Sequence, residues 1–146
     1  IGSMGVLAPA FYTNDGVVPR HQLTRILQNI YQIGTDHTLQ VANLCHAGDG
    51  NIHPIILYDP HKKGDKDRAF SCSTEILRSC LELGGSLTGE HGIGTEKVNL
   101  MDKMFTTIQL DLMKKVRNSF DPENRCNPHK ILPIHAGCGE VRAYAD

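Results

Sequence analysis

The sequence predicts an α+β fold, a ferredoxin-like split βαβ antiparallel sheet with helices on one face plus two C-terminal helices. Three observations predict it. From Val17 to Thr88 the apolar pattern runs strand, helix, strand, strand, helix, strand. The two middle strands are separated by Gly48-Asp49-Gly50-Asn51, strong turn chemistry for a hairpin. The spacing is helical again from Lys97 to Met104 and from Ile108 to Phe120.

Each element has its own signal. Residues 1–14 carry little pattern and read as a ragged N-terminal segment; Ile1-Gly2-Ser3-Met4 is compatible with an expression scar. Val17-Val18 reads as a short strand ended by Pro19. Leu23, Ile26, Leu27, Ile30 and Tyr31 follow helical spacing, with a stop expected near Gly34. Residues 38–45 alternate as a strand, and 51–58 form the second arm of the hairpin. A loop with Pro60 and Gly64 leads to a helix whose apolar side is Phe70, Ile76, Leu77, Cys80 and Leu81, stopped by Gly84-Gly85. Residues 86–88 are a short last strand. Ile108, Leu112, Val116 and Phe120 form a stripe on the final helix, which Asp121-Pro122 ends, and residues 134–146 read as a tail.

Composition excludes more than it identifies. The chain has 146 residues, 40% hydrophobic and 21% charged, enough for a single core. A formal net charge of -1 gives no reason to expect nucleic acid or an anionic membrane as a partner. No apolar run approaches the ~20 residues a membrane span requires. The five cysteines, Cys45, Cys72, Cys80, Cys126 and Cys138, are odd in number and lack paired short spacings. They argue against a disulfide framework and for a reducing, cytoplasmic setting. The eight histidines are the oddity, because several stand beside glycine clusters.

Two segments carry chemistry. In His46-Ala47-Gly48-Asp49-Gly50-Asn51-Ile52-His53, a four-residue loop at 48–51 would place His46 directly opposite His53. Opposed residues share a face with Cβ atoms ~5 Å apart, close enough for two imidazoles to meet one divalent cation. Two histidines flanking a tight turn can equally be bonded to backbone and otherwise idle. In Gly89-Glu90-His91-Gly92-Ile93-Gly94 a carboxylate adjoins an imidazole. In an extended stretch these would point to opposite sides and have separate jobs. Glu90 would complete a two-histidine, one-carboxylate site with His46 and His53. His91 would serve as general base, a task suited to a reference pKa of ~6.5. Capping of the following helix is the alternative for both. Asn127-Pro128-His129-Lys130 reads first as a turn.

Three stretches carry a family resemblance: 46–54, 84–97 (Gly-Gly-Ser-Leu-Thr-Gly-Glu-His-Gly-Ile-Gly-Thr-Glu-Lys), and Asp121-Pro122 with Asn127-Pro128-x-Lys130-Ile131-Leu132-Pro133. Together they resemble the C-terminal domain of FAD-linked oxidases of the vanillyl-alcohol oxidase type. That family includes glycolate oxidases, D-lactate dehydrogenases and D-2-hydroxyglutarate dehydrogenases. Residues 15–20 and 54–59 look most like its bacterial glycolate-oxidising branch. The resemblance covers about Phe11 to Pro133 and makes 15–133 the substrate-side, or cap, domain.

The resemblance implies a flavoprotein that oxidises glycolate or D-lactate to the 2-oxo acid by hydride transfer to FAD. It implies zinc or manganese held by His46, His53 and Glu90, with His91 taking the substrate hydroxyl proton. It implies Asn51 and Asn127 near the flavin ring and Arg20 as a partner for the substrate carboxylate. Ile55, two residues after His53, stands where hydroxyglutarate enzymes place a polar residue, and so favours a small substrate. The family's FAD-binding domain precedes this region and is not in the sequence, so the chain alone is expected to bind FAD weakly and to be inactive. The implied partners are that domain, a second flavin subunit and an iron–sulfur subunit, which could hold the assembly at the inner face of a membrane. The alternative is a stand-alone metal-binding or assembly module without catalysis, or a folding unit only.

Overall fold

The computed structural model describes residues 4–133. Its organising strand is β4, Asn51–Tyr58, whose first seven residues are all buried. Isoleucine at 52, 55 and 56 makes both faces of this strand apolar, and each of the three is 0% exposed. β3, Gln40–His46, pairs antiparallel along one edge of β4. Two short segments, β1 (Ala10–Thr13) and β2 (Gly16–Val17), pair antiparallel along the other edge. They keep one register: Thr13 lies opposite Ile55 and Gly16 opposite Ile52. Between them the Asn14 N–H still donates to the Pro54 carbonyl at 2.9 Å. β1 and β2 are thus one edge strand interrupted at Asn14-Asp15, opposite a proline that cannot donate back. The β1 stretch falls within residues 1–14, where alternation is too short to reveal a strand.

Ser86 bridges Val17 on the outer side of β2, completing a β3, β4, β1/β2, Ser86 order. This is the expected split βαβ arrangement with its last strand reduced to one residue. Two helices supply the crossovers, α2 (Leu23–Asp36) and α3 (Asp65–Glu82). Ile26, Ile30 and Ile33 of α2 and Ala69, Cys72, Ile76 and Cys80 of α3 form one core with Val18, Ile52 and Ile56. Burying each large aliphatic side chain contributes about 1.5–3 kcal/mol. Tyr12 and Val41 both lie opposite Ile56 and pack on the same core. Both helices therefore cover one face, and the face carrying Asn51, His53 and Ile55 is the other.

Helix ends differ from the expected stops. α2 runs two residues past Gly34, because Gly34 is a packing position: a Cβ there would meet Val41 Cγ2 at 2.8 Å. α3 begins at Asp65, whose carboxylate accepts the Asp59 N–H at 3.0 Å and pairs with Arg68. A short helix, α1 (Met4–Leu7), precedes β1.

The described residues divide into two compact units, one up to Ile93 and one from Gly94 on. The second contains a helical turn, α4 (Met101–Met104), and α5, Thr107–Phe120. Thr106 and Gln109 form a capping box at the start of α5. The stripe read from the sequence on α5 is solvent-facing: Ile108 and Phe120 are 82% and 87% exposed, while Leu110 is buried. Cys138 and the proposed 134–146 tail lie outside the described residues. No helix among the described residues is long and apolar enough to cross a membrane.

Candidate active site

The site lies on the sheet face opposite the helices and begins with the hairpin between β3 and β4. Its four-residue turn is 47–50, one residue earlier than expected, with the Asp49 and Gly50 N–H groups both donating to the His46 carbonyl. His46 is consequently opposite Asn51, and His53 opposite Leu44. The two histidines are diagonal neighbours rather than a direct pair. The register differs from the expected one by two residues, which preserves the face; a slip of one would have separated them. Their rings sit 5.4 Å apart between centroids, edge to face.

The third group arrives from the loop after Ser86. Glu90 Oε1 is 3.1 Å from His46 Nε2, and Glu90 Oε2 is 3.4 Å from His53 Nε2. One donor atom from each of the three residues falls within 4.8 Å of the others. Donors bound tetrahedrally to one ion at ~2.0–2.1 Å lie about 3.4 Å apart. The set therefore meets on one divalent cation once its widest pair closes by up to about 1.4 Å, within reach of side-chain rotation. Two imidazoles and one carboxylate also leave coordination positions open for a substrate.

His91 joins the same cluster. Its ring stacks on His53 at 5.1 Å with a 20° interplanar angle, and its Nε2 is 3.9 Å from Glu90 Oε2. The expected opposition of Glu90 and His91 does not occur, because residues 89–91 bend instead of extending. Both side chains converge on His53.

The bend has a cause that the motifs alone do not reveal. Asp15, 0% exposed, accepts the Thr88 hydroxyl and the N–H groups of Gly89, Glu90 and His91, the last at 2.9 Å. Burial works to raise its pKa. The Thr88 bond and the His91, Glu90 and Gly89 amides outweigh burial and hold the carboxyl well below the ordinary carboxylate range. The available signal was an Asn-Asp pair between the apolar stretches at 10–12 and 17–18, polar residues inside a strand pattern.

Asn51 is 4% exposed, and its side-chain oxygen has no hydrogen-bond partner among the described residues. It packs beside Gly89, where an added Cβ would lie 2.8 Å from Asn51 Cγ. A buried acceptor without a donor fits a ligand that brings one. Arg20 opens a 3-10 turn, Arg20–Gln22, and lines a cleft with Gly48, Asp49 and Gly84 to Ser86; none of the clustered histidines lines it. Asn127 belongs to the second unit, where its carbonyl accepts from Arg117 at 3.0 Å and its side-chain oxygen from Lys130 at 3.3 Å.

Comparison with known proteins matches these features to a family. The profile described as "FAD linked oxidases, C-terminal domain" matches residues 4–131. The glycolate oxidase subunit GlcD of Escherichia coli is 40% identical over 141 residues, 97% of this chain and 28% of the relative. The protein of the same name from Bacillus subtilis is 32% identical over 90% of this chain. The mitochondrial D-lactate dehydrogenase [cytochrome] of Arabidopsis thaliana is 31% identical over 83% of this chain and 21% of its own length. The chain thus spans between about a fifth and little more than a quarter of the length of these relatives. It belongs to the FAD-linked oxidase family and corresponds to that family's C-terminal domain.

Proposed function

We propose that this chain is the substrate-side domain of a flavoenzyme that oxidises a short 2-hydroxy acid, glycolate or D-lactate, to the 2-oxo acid. The convergence of His46, His53, Glu90 and His91 on the sheet face opposite the helices carries the reading. In it, His46, His53 and Glu90 hold a divalent ion, zinc or manganese. When bound, the flavin supplies the hydride acceptor and the ion supplies positive charge that favours the substrate alkoxide.

The remaining chemistry belongs to this chain's own side chains. His91 is not needed to complete the ion's ligand set, and its half-exposed imidazole takes the substrate hydroxyl proton. His53 donates through Nδ1 to the Asn14 carbonyl at 3.3 Å, which keeps its Nε2 free as a ligand. Asn51, whose side-chain oxygen has no partner among the described residues, is the flavin contact on this sheet face; Asn127 is assigned to the flavin by the resemblance alone. Arg20 makes a bidentate contact with the substrate carboxylate. Ile55, 0% exposed on the site's own face, leaves no polar partner there for a second carboxylate, consistent with a small substrate. Partners in this reading are the FAD-binding domain, a second flavin subunit and an iron–sulfur subunit, in a cytoplasmic assembly at the inner face of a membrane.

The test uses the full-length protein that contains this chain. Flavin reduction by glycolate and by D-lactate is followed without oxygen in wild type and His91→Ala. Removing a general base should slow reduction by about 10²–10⁴-fold with flavin still bound. Reduction at the wild-type rate would take His91 out of the mechanism, and reduction by neither acid would exclude the substrate class.

A further inference from the structure

The dipeptide that interrupts the edge strand, Asn14-Asp15, touches both halves of the site without supplying a ligand. On one side, Asp15 gathers the N–H groups of Gly89 (3.1 Å), Glu90 (3.2 Å) and His91 (2.9 Å) together with the Thr88 hydroxyl. That hydroxyl in turn accepts the Gly92 N–H at 2.8 Å. Backbone amides from four consecutive residues thus close around one carboxylate and one hydroxyl. Successive N–H groups commonly form such a nest for a bound anion; here the anion is a side chain of a neighbouring strand.

On the other side, Pro54 accepts from the Asn14 N–H but has none of its own to return. The Asn14 carbonyl is left without a ladder donor from Pro54, and the His53 ring takes it at 3.3 Å. Asn14 cannot swing away. Its side-chain oxygen accepts the Ser73 hydroxyl at 2.8 Å, and its amide donates to the Ser73 carbonyl at 3.2 Å, tying it to α3.

We propose that Asp15 is the positioning residue of this site: its carboxylate folds the 88–92 loop so that Glu90 and His91 face His46 and His53, while the Asn14 carbonyl turns His53 Nε2 toward them. The metal part of this inference rests on the reading that His46, His53 and Glu90 bind a divalent ion. Loss of an outer partner of this kind weakens metal binding by about 10–100-fold.

Two measurements on the chain test it. Zinc(II) is titrated calorimetrically into wild type, His46→Ala, Asp15→Asn, Thr88→Val and Asp65→Asn. Asp65 is the control, a buried carboxylate that also takes a backbone N–H but stands at the start of α3. Asp15→Asn should bind zinc about 10–100-fold more weakly, Thr88→Val more weakly than wild type, and Asp65→Asn like wild type. Independently of any metal, amide exchange at residues 89–92 should accelerate at least about tenfold in Asp15→Asn and Thr88→Val, with residues 55–57 unchanged.

A wild type that binds no zinc, or His46→Ala binding as wild type does, defeats the metal reading; the exchange measurement then still decides whether Asp15 holds the loop. Unchanged exchange at 89–92 overturns the positioning role, as does an Asp15→Asn affinity loss no larger than that of Asp65→Asn. Should Asp15→Asn fail to fold, Thr88→Val carries both measurements, and wild-type behaviour in it overturns the proposal.

Discussion

Gly50 closes the hairpin that presents His46 and His53, and its backbone admits little else. Its φ is +74°, and a Cβ would lie 2.0 Å from the Val18 carbonyl oxygen. The Val18 N–H donates to the Gly50 carbonyl at 3.0 Å, so the collision cannot be relieved without breaking that bond. Gly50→Ala should therefore cost more than the roughly 1–2 kcal/mol of a left-handed L-residue alone, read as a lower urea midpoint. A midpoint equal to wild type would show that the turn does not need this approach. Cys72 makes a second residue-level case. Burial, assisted by the Glu75 charge, pushes its thiol up to about 11. A thiol whose folded pKa is raised contributes stability in full below the unfolded pKa of ~8.5. That contribution is lost as pH rises from there through about 11. Between these limits wild type should lose stability relative to Cys72→Ala, measured by urea denaturation across the alkaline range; parallel pH curves would contradict the assignment.

Among the elements, β4 and α5 behave in opposite ways toward their sequence patterns. In β4 an almost unbroken apolar run becomes a central strand, and the exceptions, Asn51 and His53, fall on the site face. The residue spacing made the hairpin legible, but not its register. The turn begins at Ala47, so His46 and His53 are diagonal neighbours. In α5 the apolar stripe at 108, 112, 116 and 120 is legible, but its direction is not. Helical periodicity states which residues share a face and says nothing about what that face meets. Ile108→Lys should change stability by less than about 0.5 kcal/mol, as exposed substitutions do. Leu110→Ala should cost about 2–5 kcal/mol because its side chain is buried. Thermal denaturation of the two variants checks the pair, and a large loss in Ile108→Lys would mean the stripe is covered.

For the molecule as a whole, metal and stability are linked. An ion that binds only the folded chain, present at 100 times its Kd, stabilises by about 2.7 kcal/mol. Zinc or manganese should raise the melting temperature of the chain, and His46→Ala together with Glu90→Gln should remove the rise. An unshifted melting temperature in wild type would argue that the three side chains do not hold the ion.

The sequence by itself determined the order of elements from residue 16 to residue 88 and the identity of the histidines and carboxylate that meet. Both are local properties: alternation sets a strand, 3.6-residue spacing a helix, and a glycine-rich turn brings its flanks together. Only the tertiary structure decided that Glu90 and His91 face the same way, and that Asp15 turns them. Those outcomes depend on hydrogen bonds between residues more than seventy positions apart. A carboxylate gathers N–H groups that the chain brings near it only after the sheet has formed, and no spacing rule encodes that distance.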